Sequence, residues 1–297
     1  MGSVVDASRR WASRTDPVTG VRETIEYFRA QSGFLYGCTF RPAAAPTAGI
    51  VICSPILAEL QTSYRREVLL ARTLAEGGFA VQRFHYLGSG NSDGTPEAET
   101  LEGLVDDARR ATERLRETTD VRRLAFVGTR LGGHVAAAIA RTYAGSPVAI
   151  VSPVLDAESY FQEVLRGHLF GRVKEGSSSS RSTADVLGEL RAQGSLDVLG
   201  YPLGWSLYET FVGRPLSEEL AAVECQALLI KVGRARGSSP LGLETAEGPV
   251  KVMTIPGTDV WWFGGGAFLR DGEAATTEAI IDAVHGWADL AFAERAP

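Results

Sequence analysis

The stretch that most narrows what this chain can fold into is Leu124-Ala125-Phe126-Val127-Gly128-Thr129-Arg130-Leu131-Gly132-Gly133-His134-Val135. An apolar run ends at a glycine, and four residues later a second glycine opens an alanine-rich segment. That is the strand-turn-helix grammar of Gly-x-Ser-x-Gly, which holds a nucleophile on a tight turn between a buried strand and a helix. Both glycines are present at the right spacing, but Arg130 stands where the serine belongs. A guanidinium stays protonated and only donates hydrogen bonds, so it cannot attack an acyl carbon. The chain keeps the frame of a nucleophilic turn and puts a cation at its tip.

Around that stretch, strand-length and helix-length segments alternate. Alternating polarity predicts two antiparallel strands over 22–28 and 33–41. A continuous apolar run at 48–53 (AGIVIC) predicts a strand buried on both faces, 147–151 another buried strand and 124–127 the central one, and 80–86, 226–232 and 250–255 read as further strands. Helical spacing covers 62–76, 97–117, 131–143 and 274–292. In 62–76 the apolar set is Val68, Leu69, Ala71, Leu74 and Ala75. Strands alternating with helices imply a mostly parallel sheet with helices on both faces and ligands at the carboxyl ends of the strands. The alternation breaks between 156 and 224, a span too long for an ordinary connection. Helical pieces at 157–166, 183–193 and 216–223, with a serine-rich flexible run at 171–182, predict a lid. The expected organisation is a loose arm at 1–20, a core formed by 21–155 and 225–297, and a lid insertion at 156–224.

A length of 297 residues suits one large α/β domain, or one with an insertion. The chain carries a net charge of −6 and has no basic block, which argues against nucleic acid as a partner. No apolar run approaches the roughly 20 residues of a membrane span. The first 17 residues have no apolar segment of the secretory kind. Cys38, Cys53 and Cys225 lack metal-ligand spacing, so no metal or other cofactor is expected, and reduced thiols in a cytoplasm are.

Several short stretches carry a family resemblance. The order of elements, with a lid after the sixth predicted strand, resembles the α/β-hydrolase superfamily from about residue 22 to 292. Ser54-Pro55-Ile56-Leu57-Ala58-Glu59, Arg65-Arg66, Gly128-Thr129-Arg130-Leu131-Gly132, Ser152-Pro153-Val154 with Tyr160 and Gln162, and Gly200-Tyr201 resemble one atypical branch. It is the branch known as exosortase-A-system-associated hydrolase type 2, which also carries arginine at the elbow. The resemblance implies an α/β-hydrolase fold with a helical lid. It also implies a triad acid after the seventh strand of that fold and a histidine after the eighth. Here those loops read Gly233-Arg234-Ala235-Arg236-Gly237 and Gly257-Thr258-Asp259-Val260-Trp261-Trp262. All three triad roles are vacant, although Asp259 stands near the histidine position as a turn residue or an acid.

The candidate site follows from what remains. Arg130 is either a salt-bridge residue of a decayed site or a clamp for a carboxylate or enolate. A cation at a helix N-terminus costs roughly 0.3–1 kcal/mol, and a bound anion would offset it through bidentate pairing. The backbone N–H groups of Leu131 and Ile56 would still form an oxyanion hole. Two residues are candidate bases. His85 ends the strand at 80–86 and is otherwise a cap of its turn. Glu59, on the loop after 48–53, would face the same cleft, unless it pairs with Arg65 or Arg66. His134, His168 and His285 read as structural. Ser89 and Cys53 are weaker alternative nucleophiles. Tyr160, Tyr201, Trp205, Trp261 and Trp262 suggest an aromatic pocket, each of them also an ordinary core residue.

These residues suit three functions. The first is a lyase that eliminates a carboxylate such as acetate from an acylated natural product. Acetate-eliminating, hydrolase-like enzymes of tetronate polyketide pathways perform that chemistry, and the link to them rests on the chemistry alone. The second is an ester or thioester hydrolase using activated water. The third is a non-catalytic binding protein. The expected partner is a large, apolar small-molecule substrate with an anionic group, and a homodimer is left open.

Overall fold

The computed structural model describes residues 9–174, 181–223, 226–233, 250–257 and 271–293. Its centre is the run of buried apolar strands anticipated from composition. In β4 (Gly49–Cys53), β5 (Ala80–Phe84), β6 (Leu124–Thr129) and β7 (Val148–Val151) every residue is buried. A strand covered on both faces needs helices above and below it, and the chain supplies them.

Together with β1 (Arg9–Thr15), β2 (Arg22–Arg29), β3 (Phe34–Arg41), β10 (Ala227–Val232) and β11 (Val250–Ile255), these strands form one sheet in the order β1-β2-β3-β5-β4-β6-β7-β10-β11. Between them lies a two-stranded element of the insertion, β8 (Ser195–Val198) with β9 (Tyr201–Gly204). From β5 to β11 the main sheet is parallel. From β1 to β5 it is antiparallel. The expected loose arm is thus corrected over 9–15, which pairs with β2 and supplies the edge strand. Its residues lack an alternating apolar pattern because an edge strand is held by backbone hydrogen bonds more than by burial. The extra strand also makes the insertion follow the seventh strand of the chain rather than the sixth.

Two cores sandwich the sheet. On one face α1 (Ala58–Glu76) and α8 (Asp271–Ala293) bury Leu70, Leu74, Ile281, Val284 and Trp287 against Ile50, Ile52 and Val127. On the other, α2 (Leu101–Thr119) and α3 (Gly132–Ala140) pack onto Val51, Phe126 and Ile150. In α2 the spacing of Leu101, Leu104, Ala108, Ala111 and Leu115 sets the buried stripe. The Thr100 hydroxyl caps its start by accepting from the Gly103 N–H at 3.0 Å.

α1 begins one turn earlier than the spacing predicted. Ala58, Glu59 and Leu60 are helix formers, and the Thr62 hydroxyl, expected near the helix start, instead donates back to the Glu59 carbonyl at 3.1 Å. Glu59 therefore stands in the first helical turn, not on a loop. The buried face also differs: Leu70 replaces Val68 and Leu69, and the polar Ser63 and Glu67 lie on it.

The insertion holds α4 (Ala157–Lys174), α5 (Thr183–Gln193), the β8–β9 hairpin, α6 (Trp205–Phe211) and α7 (Leu216–Ala221). Residues 171–174, expected in a flexible run, continue α4, while 175–180 with their serines lie outside the described residues. The hairpin and α6 went unpredicted. The hairpin turns at Leu199-Gly200, both with positive φ (56° and 88°), where an Asn-Gly pair would have announced it. Leu165, Val186, Leu203 and Phe211 of the insertion join the α2–α3 core, so the insertion packs as a continuation of that layer. Among the described residues no helix is long and apolar enough to cross a membrane.

Candidate active site

β6 ends in the elbow, and its two glycines are fixed by close approach. A Cβ on Gly128 would come within 2.5 Å of the Gly132 carbonyl oxygen and the Gly133 Cα; one on Gly132 would lie 2.2 Å from the Cys53 carbonyl oxygen. The start of α3 is therefore pressed against the end of β4. Arg130, between the glycines, takes φ of 55°, a left-handed backbone that costs a non-glycine residue about 1–3 kcal/mol. Its N–H donates to the Val151 carbonyl and its carbonyl accepts from Gly133 N–H, both at 3.0 Å, which holds the turn in that conformation. Among the described residues, five non-glycines have positive φ, and three of them, Leu57, Arg130 and Ser152, follow β4, β6 and β7 at their carboxyl ends. Strain is concentrated where the topology places a ligand site.

The guanidinium is buried, with 6% of Arg130 exposed. Nε donates to Glu59 Oε1 at 3.2 Å, and Nη1 reaches the Ser152 carbonyl at 3.4 Å. The ring of Tyr160, from α4, covers it with its centroid 5.4 Å from Cζ. Glu59 is buried as well, and it pairs with Arg130 rather than with Arg65 or Arg66. Arg66 instead donates to the Thr277 hydroxyl and the Thr62 carbonyl. Burial pushes the Glu59 carboxyl above the usual carboxylate range, and the Arg130 charge pulls part of that shift back. The Tyr160 hydroxyl is kept protonated by burial and by the neighbouring Glu59 charge.

Two polar atoms of this cluster, Glu59 Oε2 and the Tyr160 hydroxyl oxygen, are buried. The two side chains face each other, and a hydrogen bond between them helps hold the Glu59 carboxylate and keep the Tyr160 hydroxyl protonated. Ile56 and Leu131, after β4 and at the start of α3, are both buried.

His85 is not brought to this cluster. Its Nδ1 accepts from the Asn91 N–H at 3.0 Å, its ring lies against Tyr36 at 4.9 Å, and a Cβ on Gly90 would strike it. Burial and the nearby Arg83 charge push its pKa down to about 4. With the Nδ1 lone pair occupied, the neutral ring carries its proton on Nε2 and has no free basic atom. The structure makes His85 the clasp of its turn. His134 has its Nε2 2.9 Å from the Val154 carbonyl oxygen and its ring against Phe211. His285 pairs with Asp289 and packs on Phe79, beside Gly77 at the end of α1 opposite to Glu59. Burial pushes the Cys53 thiol far above its usual range, which removes it as a nucleophile.

Of the aromatic residues, Tyr160 joins the cluster. Trp205 instead stacks on Tyr208 at 5.1 Å, under Arg191. Tyr201 stays half-buried in the β8–β9 hairpin. Trp261, Trp262, Asp259, Arg234 and Arg236 lie outside the described residues. No local pattern announces the Ser152 carbonyl on Arg130, because that contact depends on the left-handed Ser152 (φ 48°) before Pro153.

The arrangement puts a buried guanidinium beside a buried carboxylate whose pKa burial raises. It offers no nucleophile at the elbow. The family model described as serine aminopeptidase, S33, matches residues 45–187, from just before β4 into α5. No curated protein matches the chain in sequence. Among solved structures, Est1E from Butyrivibrio proteoclasticus with ferulic acid bound is 17% identical, with a TM-score of 0.65 over 90% of this chain and 99% of its own. The proline iminopeptidase of Mycobacterium smegmatis is 14% identical, with a TM-score of 0.59 over 92% and 100%. DcsB in complex with its substrate analogue is 13% identical, with a TM-score of 0.53 over 97% and 100%. The chain has the α/β-hydrolase fold.

Proposed function

We propose, taking as premise an α/β-hydrolase fold whose elbow carries a buried ion pair, that this protein is a carbon–oxygen lyase. It would eliminate a carboxylate, such as acetate, from an acylated natural-product intermediate of the tetronate polyketide kind. The observation that carries the reading is the buried Arg130–Glu59 pair. Elimination needs a base, a place for the enolate oxygen and a cation for the leaving carboxylate. Glu59 is the base, made more basic by burial. The Ile56 and Leu131 N–H groups receive the oxygen on which charge develops. Arg130 receives the departing carboxylate. Tyr160 supplies the apolar wall over the guanidinium, and the 156–224 insertion serves as the lid.

One observation favours a second reading. The S33 family model points to hydrolysis, and the same Glu59 could activate a water. Turnover of an acetylated tetronate in ¹⁸O-labelled water separates the two. Elimination breaks the alkyl carbon–oxygen bond, so the released acetate keeps both its original oxygens. Solvent ¹⁸O in the acetate rejects the lyase in favour of hydrolysis, and no turnover of any ester leaves a binding protein.

A further inference from the structure

We propose that a second cavity, beside the N-terminal half of α2, binds the protonated amine of a small organic molecule at the carboxyls of Glu99 and Asp107. The inference stands apart from the elimination reading, since none of Glu59, Arg130 and Tyr160 borders this cavity. Its volume is about 670 Å³, within the usual range for a small-molecule site. The turn between β2 and β3, the segment 94–100 and α2 from Gly103 to Glu113 enclose it, and Leu87, Ala98 and Leu104 give it apolar wall.

Two carboxyls at the cavity are buried. Asp107 lies on the core-facing stripe of α2, and its Oδ2 accepts from the Leu87 N–H at 2.7 Å. Glu99, just before the Thr100 cap, is 8% exposed, and its Oε1 is buried without a hydrogen-bond partner among the described residues. Burial and the charges of Asp107 and of Glu97, in the helical turn Pro96–Ala98, all push the Glu99 pKa up, to about 8. Burial raises that of Asp107 to about 7, with the Leu87 N–H pulling part of the shift back and Asp106 adding to it. No described arginine is hydrogen-bonded to either carboxyl, because those that border the cavity are engaged elsewhere. Arg109 pairs with Asp106 and Glu113. Arg110 pairs with Glu113 and Glu117 and donates to the Arg29 carbonyl. The exposed Arg29 guanidinium lies over the Phe34 ring, 5.5 Å from its centroid.

A buried acid with neither donor nor cation forfeits its hydration and receives nothing for it. An ammonium supplies both the missing charge and three N–H donors. A calcium or magnesium ion takes about six oxygens, and among the described residues no three His, Cys, Asp or Glu side chains are grouped to hold a metal. The cavity is also large enough for the carbon chain of an amine, which its apolar wall would cover. Binding a cation favours the ionised carboxyls, so below about pH 8 it displaces a proton from Glu99, and affinity falls as pH falls.

The test is titration of the full-length protein with n-butylammonium chloride at pH 8, followed in amide NMR spectra, with n-butanol as the uncharged counterpart. The expected result is saturable shifts at amides bordering the cavity, those of Thr95, Gly103 and Leu104 among them, with a millimolar Kd as suits so small a molecule. Butanol should bind about tenfold more weakly or less, since it lacks the charge-assisted hydrogen bonds. Glu99→Gln keeps the shape of a neutral glutamic acid and so should fold, yet it should weaken butylammonium about tenfold or more. Affinity of the unaltered protein should be about tenfold or more lower at pH 6 than at pH 8. Equal affinity for butanol, unchanged binding in Glu99→Gln, or no saturable shift at the cavity overturns the proposal. Displacement of butylammonium by millimolar calcium or magnesium chloride would overturn it in favour of a metal site.

Discussion

Among the described residues, two arginine–glutamate pairs are buried at this sheet, and they differ in what surrounds them. Arg83 on β5 donates to Glu67 Oε2 at 3.1 Å, and Ser54 Oγ donates to the same oxygen at 2.7 Å, with Tyr64 covering the guanidinium. The open oxygen of Glu67 and the Ser63 hydroxyl border a cavity of about 20 Å³, room for a single water. The Arg130–Glu59 pair has similar burial and a similar hydrogen bond. It sits instead on strained backbone at the strand ends, under the ring of Tyr160. Arg83 is on regular β5 and Glu67 in mid-helix, where the fold determines both positions; Arg130 is held against its backbone preference. The ion pair itself is no mark of function. Nor are unmet polar atoms, since Glu67 Oε1, Arg83 Nε and Ser63 Oγ lack hydrogen-bond partners among the described residues; what sets the elbow pair apart is its strained support.

The comparison is broken most easily by kinetics. On the elimination reading, Glu59→Gln should lower kcat about 10²–10⁴-fold by removing the base, and Arg130→Lys about 10²–10³-fold, since lysine keeps the charge but loses the planar fork. Glu67→Gln should leave kcat within a few-fold. Steady-state rates on protein verified as folded by circular dichroism check this, and equal losses at both pairs would erase the distinction.

Stability should respond in the opposite sense. Arg83→Ala or Glu67→Ala strands a charge in the core and should cost about 3–5 kcal/mol, while the double variant should cost less than the sum of the two. Urea unfolding of the three variants measures the coupling. Additive losses would mean the pair is not a unit.

A smaller effect sharpens the place of His85 outside the site. Its folded pKa, about 4, lies below the ordinary 6.5, so the native state favours the neutral ring. That contribution is present above pH 6.5 and is lost as pH falls through about 4, and over that window it amounts to roughly 3 kcal/mol. His85→Gln should flatten the acid limb of stability against pH while kcat at neutral pH changes little. A large neutral-pH loss of kcat would restore His85 as the base.

Much of the fold was legible because it follows from local periodicity. Runs such as Gly49–Cys53 can only be buried strands, and the glycine spacing at 128 and 132 permits one tight crossing. Edge strand β1 and the β8–β9 hairpin were not legible. The first is held by backbone pairing that leaves no side-chain pattern, and the second turns on Leu199, a residue that rarely takes positive φ.

The sequence by itself determined that no serine stands at the elbow, that Arg130 does, and that the chain winds as an α/β-hydrolase fold. Those are properties of residue identity and spacing. Only the tertiary structure decided that Glu59, rather than His85, meets the guanidinium. Both follow parallel strands, but β4 before Glu59 lies beside the elbow strand β6, while β5 before His85 lies one strand further out. What separates them is the extra first turn of α1, which carries Glu59 to within 3.2 Å of Arg130 Nε, and the turn at 85–94, which closes on the His85 ring. Each of these choices comes from packing between segments remote in the chain, and no local pattern encodes it.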